Sequence, residues 1–182
     1  MMVPVPLNER VTKSDLVVEG KIVGQKSFFN HDKSLIFTVN KIEVYKVFKG
    51  TLSSNIISVL TEGGVVGNQM HKVSPSLGLI PGEVGVLTLE MSGITLDNYN
   101  PNFLNNGVDA ASNEMLYLPH ASSQGYINYD KELKKAVGVF DSYNNVLNDL
   151  YMAIHTITGR GYVEIKPFNA PDYINQTVNG AR

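Results

Sequence analysis

Cysteine and tryptophan are both missing from the 182 residues. Without cysteine there is no thiol nucleophile, no CxxC redox pair and no thiolate zinc site. An excess of charge of one sign is missing too. Fifteen Lys+Arg against 17 Asp+Glu leave a net −2 with no long basic run. That argues against a chain built to neutralise a phosphate backbone, so no nucleic-acid partner is expected. No run approaches the roughly 18–20 unbroken apolar residues of a membrane helix, and no membrane insertion is expected. The opening MMVPVPLNER lacks the basic start and apolar run of a signal peptide. The patterns G-x-S-x-G, H-E-x-x-H, G-x-x-x-x-G-K-[ST] and G-x-G-x-x-G do not occur. The expectation is therefore a non-enzyme with no catalytic residue, no metal ligand and no cofactor.

What is present reads as strands. A chain of this length buries about 70% of its unfolded surface and needs no disulfide or metal to fold. In residues 15–23, Leu16, Val18, Gly20 and Ile22 share one face while Glu19 and Lys21 take the other, the period of a half-buried strand. The run 35–48 changes phase: Phe37 and Val39 have one parity, Ile42 and Val44 the other. A bulge near Asn40 and Lys41 would restore one buried face and bend the strand. Further strands are expected at 55–61, ended by Gly63-Gly64, and at 84–91, with a less regular one within 65–73. Pro75, Gly78, Pro81 and Gly82 mark a loop.

Four or five strands, one long and bent, suit a small closed barrel. The expected domain runs over 11–91. Residues 92–166 then supply a long Asn/Asp/Gly-rich loop over 92–119, a hairpin from 125–129 and 136–140, and one helix packed on the barrel. Ser142 is the candidate N-cap of that helix; Val146, Leu147, Leu150, Tyr151, Ile154 and Ile157 form its apolar stripe, and Gly159 its stop. A short strand is expected at 162–165, and 167–182 reads as a fraying tail.

Two segments carry a resemblance. SDLVVEGKIV from Ser14, followed by FTVNKIEVYKVFKG from Phe37, is similar to the opening strands of the netrin-type, or TIMP-like, OB-fold domain. With Gly63-Gly64, the Pro81-Gly82-Glu83 turn, Ser123-Gln124-Gly125 and the later helix, the chain also resembles modules of large exported surface proteins of Bacteroidetes-type bacteria. The resemblance implies a mainly β fold: an OB-like, five-stranded β-barrel with an appended hairpin and one C-terminal α-helix. It also implies an extracellular or cell-surface setting. Tissue inhibitors of metalloproteinases chelate their target's zinc through an N-terminal Cys, which this chain lacks, so that mechanism does not transfer.

The expected function is a non-catalytic interaction or structural module of a multidomain surface protein. Its loops would bind a protein or glycan partner, or neighbouring domains of the same chain. The alternative is a protease inhibitor with a TIMP-like fold and no Cys-dependent mechanism. The contact loops expected are 28–33 and 63–73, with Phe28, Phe29, His31, Asp32, Glu62 and His71 as partner-binding residues. Adjacent Phe28 and Phe29 point to opposite strand faces, which offers one of them to a partner. His31-Asp32 in one loop and Glu62 with His71 in another could meet at one end of the barrel as a metal site, but their spacing lends it no support. Asp97, Asn98, Asn100, Asn102, Asn105, Asn106 and Asp109 offer oxygen ligands for calcium, but Phe103 stands where an EF-hand loop needs Gly. Turn formation alone explains their abundance.

Overall fold

The computed structural model describes residues 2–95 and 114–178. It is mainly β, organised around a ring of five strands. The first seven strands, five of which form the ring, are β1 (Leu16–Phe29), β2 (Ile36–Lys49), β3 (Ile56–Glu62), β4 (Gly64–Val66), β5 (Gln69–His71), β6 (Val84–Thr95) and β7 (Met115–Pro119). The ring runs β1-β2-β3-β7-β6 and returns to β1. Every pairing in it is antiparallel except β3 with β7, which run parallel. The fifth strand therefore comes from beyond residue 91, in the segment expected to be loop, and the expected barrel boundary at 91 is corrected. The calcium-type cluster between Asp97 and Asp109 lies outside the described residues.

The ring interior holds Leu16, Val18, Ile22, Ile42, Val44, Ile57, Val59, Leu87 and Leu89, all buried. Each such side chain contributes about 1.5–3 kcal/mol by leaving water. Gly20 pairs directly with Gly85 where β1 passes between β2 and β6. A Cβ on Gly20 would lie 2.7 Å from the Glu43 carbonyl oxygen, so the close strand crossing needs glycine there.

The expected bulge at Asn40 and Lys41 does not occur. β2 pairs with β3 without a shift from Phe37 to Glu43. Thr38, Asn40, Ile42 and Val44 consequently all point inward, and Phe37 and Val39 point outward. Val39 is buried all the same, in an outer cluster with Phe28, Leu60 and Leu116. The apparent phase change arises because both faces are covered at this end of β2, while two of its inward residues are polar. The bulges sit elsewhere, at Val23 of β1 and at Tyr45 and Phe48 of β2, the positions where the β1–β2 register skips.

The rest of the chain covers one outer face of the ring. β8 (Tyr126–Asp130) joins β6, and β9 (Lys135–Val137) pairs with β8 as the expected hairpin; β10 (Ser142–Tyr143) adds to β9. Val146–Tyr151 then form a π-helical turn that leads into α2 (Met152–Thr158), the helix expected here. Its N-cap is Asn145, whose side-chain oxygen accepts from the Asn148 N–H, and not Ser142, which lies in β10. Gly159 closes α2 in the left-handed region at φ 69°. β11 (Val163–Glu164) is the short strand expected at 162–165, and it pairs with β2.

Two helices were not expected. α1 (Leu7–Lys13) precedes the barrel and buries Arg10 and Val11, and α3 (Ala170–Asn175) occupies the segment read as a tail. Ala170 and Ile174 of α3 are 1% and 3% exposed, so the tail reading is corrected. The outer core joins Val17, Val84, Val86, Ile127 and Tyr129 of the sheet to Val11, Val146, Leu150, Ile154, Ala170 and Ile174 of the helical layer. No helix among the described residues is long and apolar enough to cross a membrane.

Candidate functional site

The second expected contact loop, 63–73, is fastened to the start of β2, next to the turn that carries the first. The turn over 30–35 links β1 to β2: the Asn30 N–H donates to the Leu35 carbonyl at 2.9 Å, and the Leu35 N–H to Asn30 Oδ1 at 3.0 Å. Beside it the chain leaves β3, and the Gly63 N–H donates to the Ile36 carbonyl at 2.8 Å. The Ile36 N–H in turn donates to His71 Nδ1 at 3.2 Å. Accepting at Nδ1 places the hydrogen of the neutral ring on Nε2. The β4–β5 hairpin is thereby fastened to the start of β2.

A hydroxyl relay holds the same junction from inside. Ser27 Oγ lies 2.8 Å from Thr38 Oγ1, which donates to the Gly63 carbonyl at 2.7 Å. A Cβ on Gly64 would run into both hydroxyls, which accounts for the second glycine of the Gly63-Gly64 step. Around this junction opens a cavity of about 270 Å³. Thr38, Asn40 and Thr61 line its depth, with Leu77 and Leu79 along one wall and Gln25, Glu62, His71, Lys72 and Ser76 around it. Asn40 is 1% exposed. Its Nδ2 donates to the Val59 carbonyl at 3.1 Å and to Thr61 Oγ1 at 3.0 Å, whereas its Oδ1 has no partner. An unpaired buried amide oxygen costs about 1–3 kcal/mol.

The six expected binding residues divide. Glu62 and His71 line the cavity. Phe29 is half-buried on the face of β1 that carries Ser27. Phe28 is 5% exposed, its ring centroid 6.3 Å from that of Phe37, so its assignment as a contact residue is corrected: it belongs to the outer cluster. His31 and Asp32 sit exposed in the turn, away from the cavity lining. Asp32 Oδ1 accepts from the Ser34 hydroxyl at 2.5 Å and the Ser34 N–H at 3.0 Å, and these bonds, the hydroxyl first, lower its pKa. That is the work of a turn-forming Asp. Among the described residues no three His, Asp or Glu side chains come together as a metal cluster.

Thr38, Asn40 and Thr61 were not anticipated as site residues. The signal the sequence offers is a polar pair, Thr38 and Asn40, at one parity of a strand, a pattern that a bulge would also produce.

A second polar cluster lies between the barrel and the helical layer. Glu19 is fully buried. Its Oε1 accepts from Lys46 Nζ at 2.9 Å, and its Oε2 from the hydroxyls of Tyr129, at 2.5 Å, and Tyr151. Lys46 Nζ also donates to the Phe168 carbonyl at 2.6 Å and lies 5.4 Å from the ring centroids of Tyr162 and Phe168. Burial, with the Glu19 charge second, pushes both phenols well above their ordinary pKa. Every member has its partners inside the protein, and the cluster joins β1, β2, β8, the π-helical turn and the approach to α3.

No protein-family model matches the chain, and no curated protein matches it.

Proposed function

We propose that the chain is a non-catalytic binding module with an OB-like barrel of the netrin/TIMP type, set in an exported, multidomain cell-surface protein. It engages a protein or glycan partner through the loops at the barrel's open end. The observation that carries this reading is the cavity that the segment after β3 forms against β1 and β2 at that end, where it is fastened to Ile36 at the start of β2. Loops held by a rigid barrel are the ordinary place for a recognition surface. The OB-like assignment is supported by the ring order, in which three consecutive antiparallel strands close through one parallel pair, β3 with β7.

The test is retention of the purified chain on cell-envelope fractions and on purified surface polysaccharide. Replacing Gln25, Glu62, His71 and Lys72 together by alanine is expected to weaken retention at least about 10-fold, equivalent to about 1.4 kcal/mol. Replacing exposed Met152 by alanine on the helical layer is expected to leave it unchanged. Equal retention of the fourfold variant and the parent would sink the site; no retention of the parent on any fraction would sink the binding reading itself.

A further inference from the structure

We infer that the barrel-end cavity is a saccharide subsite which takes one neutral, hydroxyl-rich sugar ring. The inference rests on the binding-module reading and names its ligand. Its starting point is Asn40: a buried side chain lining the cavity, its amide nitrogen committed to Val59 and Thr61, its oxygen unpaired. A buried acceptor calls for a donor, so the ligand brings an O–H or N–H group to this end of the site.

The neighbouring hydroxyls set the same polarity. Thr38 donates its hydrogen to the Gly63 carbonyl, and Thr61 donates to the Thr38 carbonyl at 3.4 Å while accepting from Asn40. Neither has a hydrogen left for an incoming anion. The charges at the rim, Glu62 and Lys72, are opposite in sign, so the cavity selects for no net charge.

Shape and spacing separate a sugar from a single amide side chain. Gln25, Glu62 and Lys72 make no side-chain hydrogen bond or ion pair among the described residues, and they stand around the cavity together with His71, whose Nε2 carries its hydrogen. An inserted Asn or Gln side chain would use the Asn40 oxygen alone. A sugar ring carries hydroxyls around its whole edge and meets the rim groups as well, while its C–H face lies on Leu77 and Leu79, both buried apolar side chains. A volume of about 270 Å³ accommodates one such ring.

The test uses the full chain and a panel of methyl glycosides of glucose, galactose, mannose and N-acetylglucosamine, followed by amide chemical shifts and calorimetry. At least one glycoside is expected to bind, with the largest shifts at Asn40, Thr61, Gly63 and Gly64. Gly78 lines the cavity, and a Cβ there meets nothing within 4 Å. Gly78→Trp therefore adds a bulky ring at the cavity lining with no clash at its Cβ, and is expected to lower affinity at least 10-fold with the unliganded spectrum otherwise retained. Gln25→Ala and Lys72→Ala, both at the rim, are expected to lower it several-fold.

Binding that Gly78→Trp leaves unchanged would overturn the subsite. Failure of every glycoside to bind would overturn the ligand class, with water then the natural partner of Asn40. If envelope retention still depends on the rim residues in that case, the binding module stands and its partner is a polypeptide. If retention is lost as well, the module reading falls with it.

Discussion

Glu19 has three side-chain partners, and each comes from a different stretch of chain: Lys46 from β2, Tyr129 from β8 and Tyr151 from the π-helical turn. Removing one member of a buried, hydrogen-bonded charge pair costs about 3–5 kcal/mol, so the cluster ties the helical layer to one position on the barrel. The same burial sets the alkaline limit of the protein. Desolvation, then the Glu43 charge, raises Tyr45 from 10.0 to about 12, and burial raises Tyr126, Tyr129, Tyr143 and Tyr151 as well. A phenol with a raised folded-state pKa contributes stability that is intact below the unfolded value, near pH 10, and is lost as pH rises through the folded value. For Tyr45 that window is about pH 10 to 12. Phenolate absorbance at 295 nm should therefore rise in two steps. The exposed tyrosines should ionise first, and the buried group should ionise together with loss of the far-ultraviolet circular dichroism signal. A single step near pH 10 with the dichroism unchanged would refute this.

Elements were legible in proportion to how simply their surroundings alternate. The β8–β9 hairpin and the stripe of α2 follow single-face periodicities, and both are where the residues place them. β2 defeated the same logic because its inner face is polar at Thr38 and Asn40 and its outer face apolar at Phe37 and Val39. Glu19 points away from the barrel interior as an alternating pattern requires, and the bulge at Tyr45 turns Lys46 the same way although it shares the parity of Ile42 and Val44; the helical layer covers both, which no local pattern reveals. α1 and α3, of seven and six residues, are too short to show a period. The cap of the π-helical turn separates the sequence reading, Ser142, from the observed residue, Asn145, directly. Asn145 accepts from the Asn148 N–H at 3.0 Å, and its backbone N–H donates to Asp149 Oδ2 at 2.8 Å. Asn145→Ala is expected to lower stability by about 1 kcal/mol in urea unfolding. Ser142→Ala, at an exposed position in β10, is expected to change it by less than about 0.5 kcal/mol. Equal effects would refute the assignment.

At the scale of the molecule, the strand-rich barrel could be read from its opening segments, but its closure could not. The closing strand, β7, is five residues long and pairs in parallel with β3, a partner more than 50 positions earlier. Pairing over that separation leaves no local mark. The site followed the same division: Glu62 adjoins the Gly63-Gly64 step and His71 lies in the irregular segment that the sequence marks after its third strand, while Asn40 and Thr61 reach the cavity only because the ring turns them inward. This dependence on distant chain predicts how the protein divides. A chain cut to residues 11–91 loses β7, whose Leu116 is fully buried, and the whole helical layer. It then exposes at least Val17, Val84 and Val86 on the outer face. At about 1.5–3 kcal/mol for each large apolar side chain returned to water, these three alone amount to about 5–9 kcal/mol. Total domain stabilities are about 5–15 kcal/mol, so the cut chain should not hold a fold. Its amide spectrum is expected to collapse into the narrow range of an unfolded polypeptide, whereas residues 2–178 give dispersed β resonances. Removing only 167–182 withdraws Ala170, Ile174 and the Phe168 carbonyl that Lys46 uses, but leaves the ring intact. That shorter loss should lower the urea midpoint and keep the dispersion. A folded 11–91 fragment would show that the five-strand ring is not the unit of stability and that the outer core is dispensable.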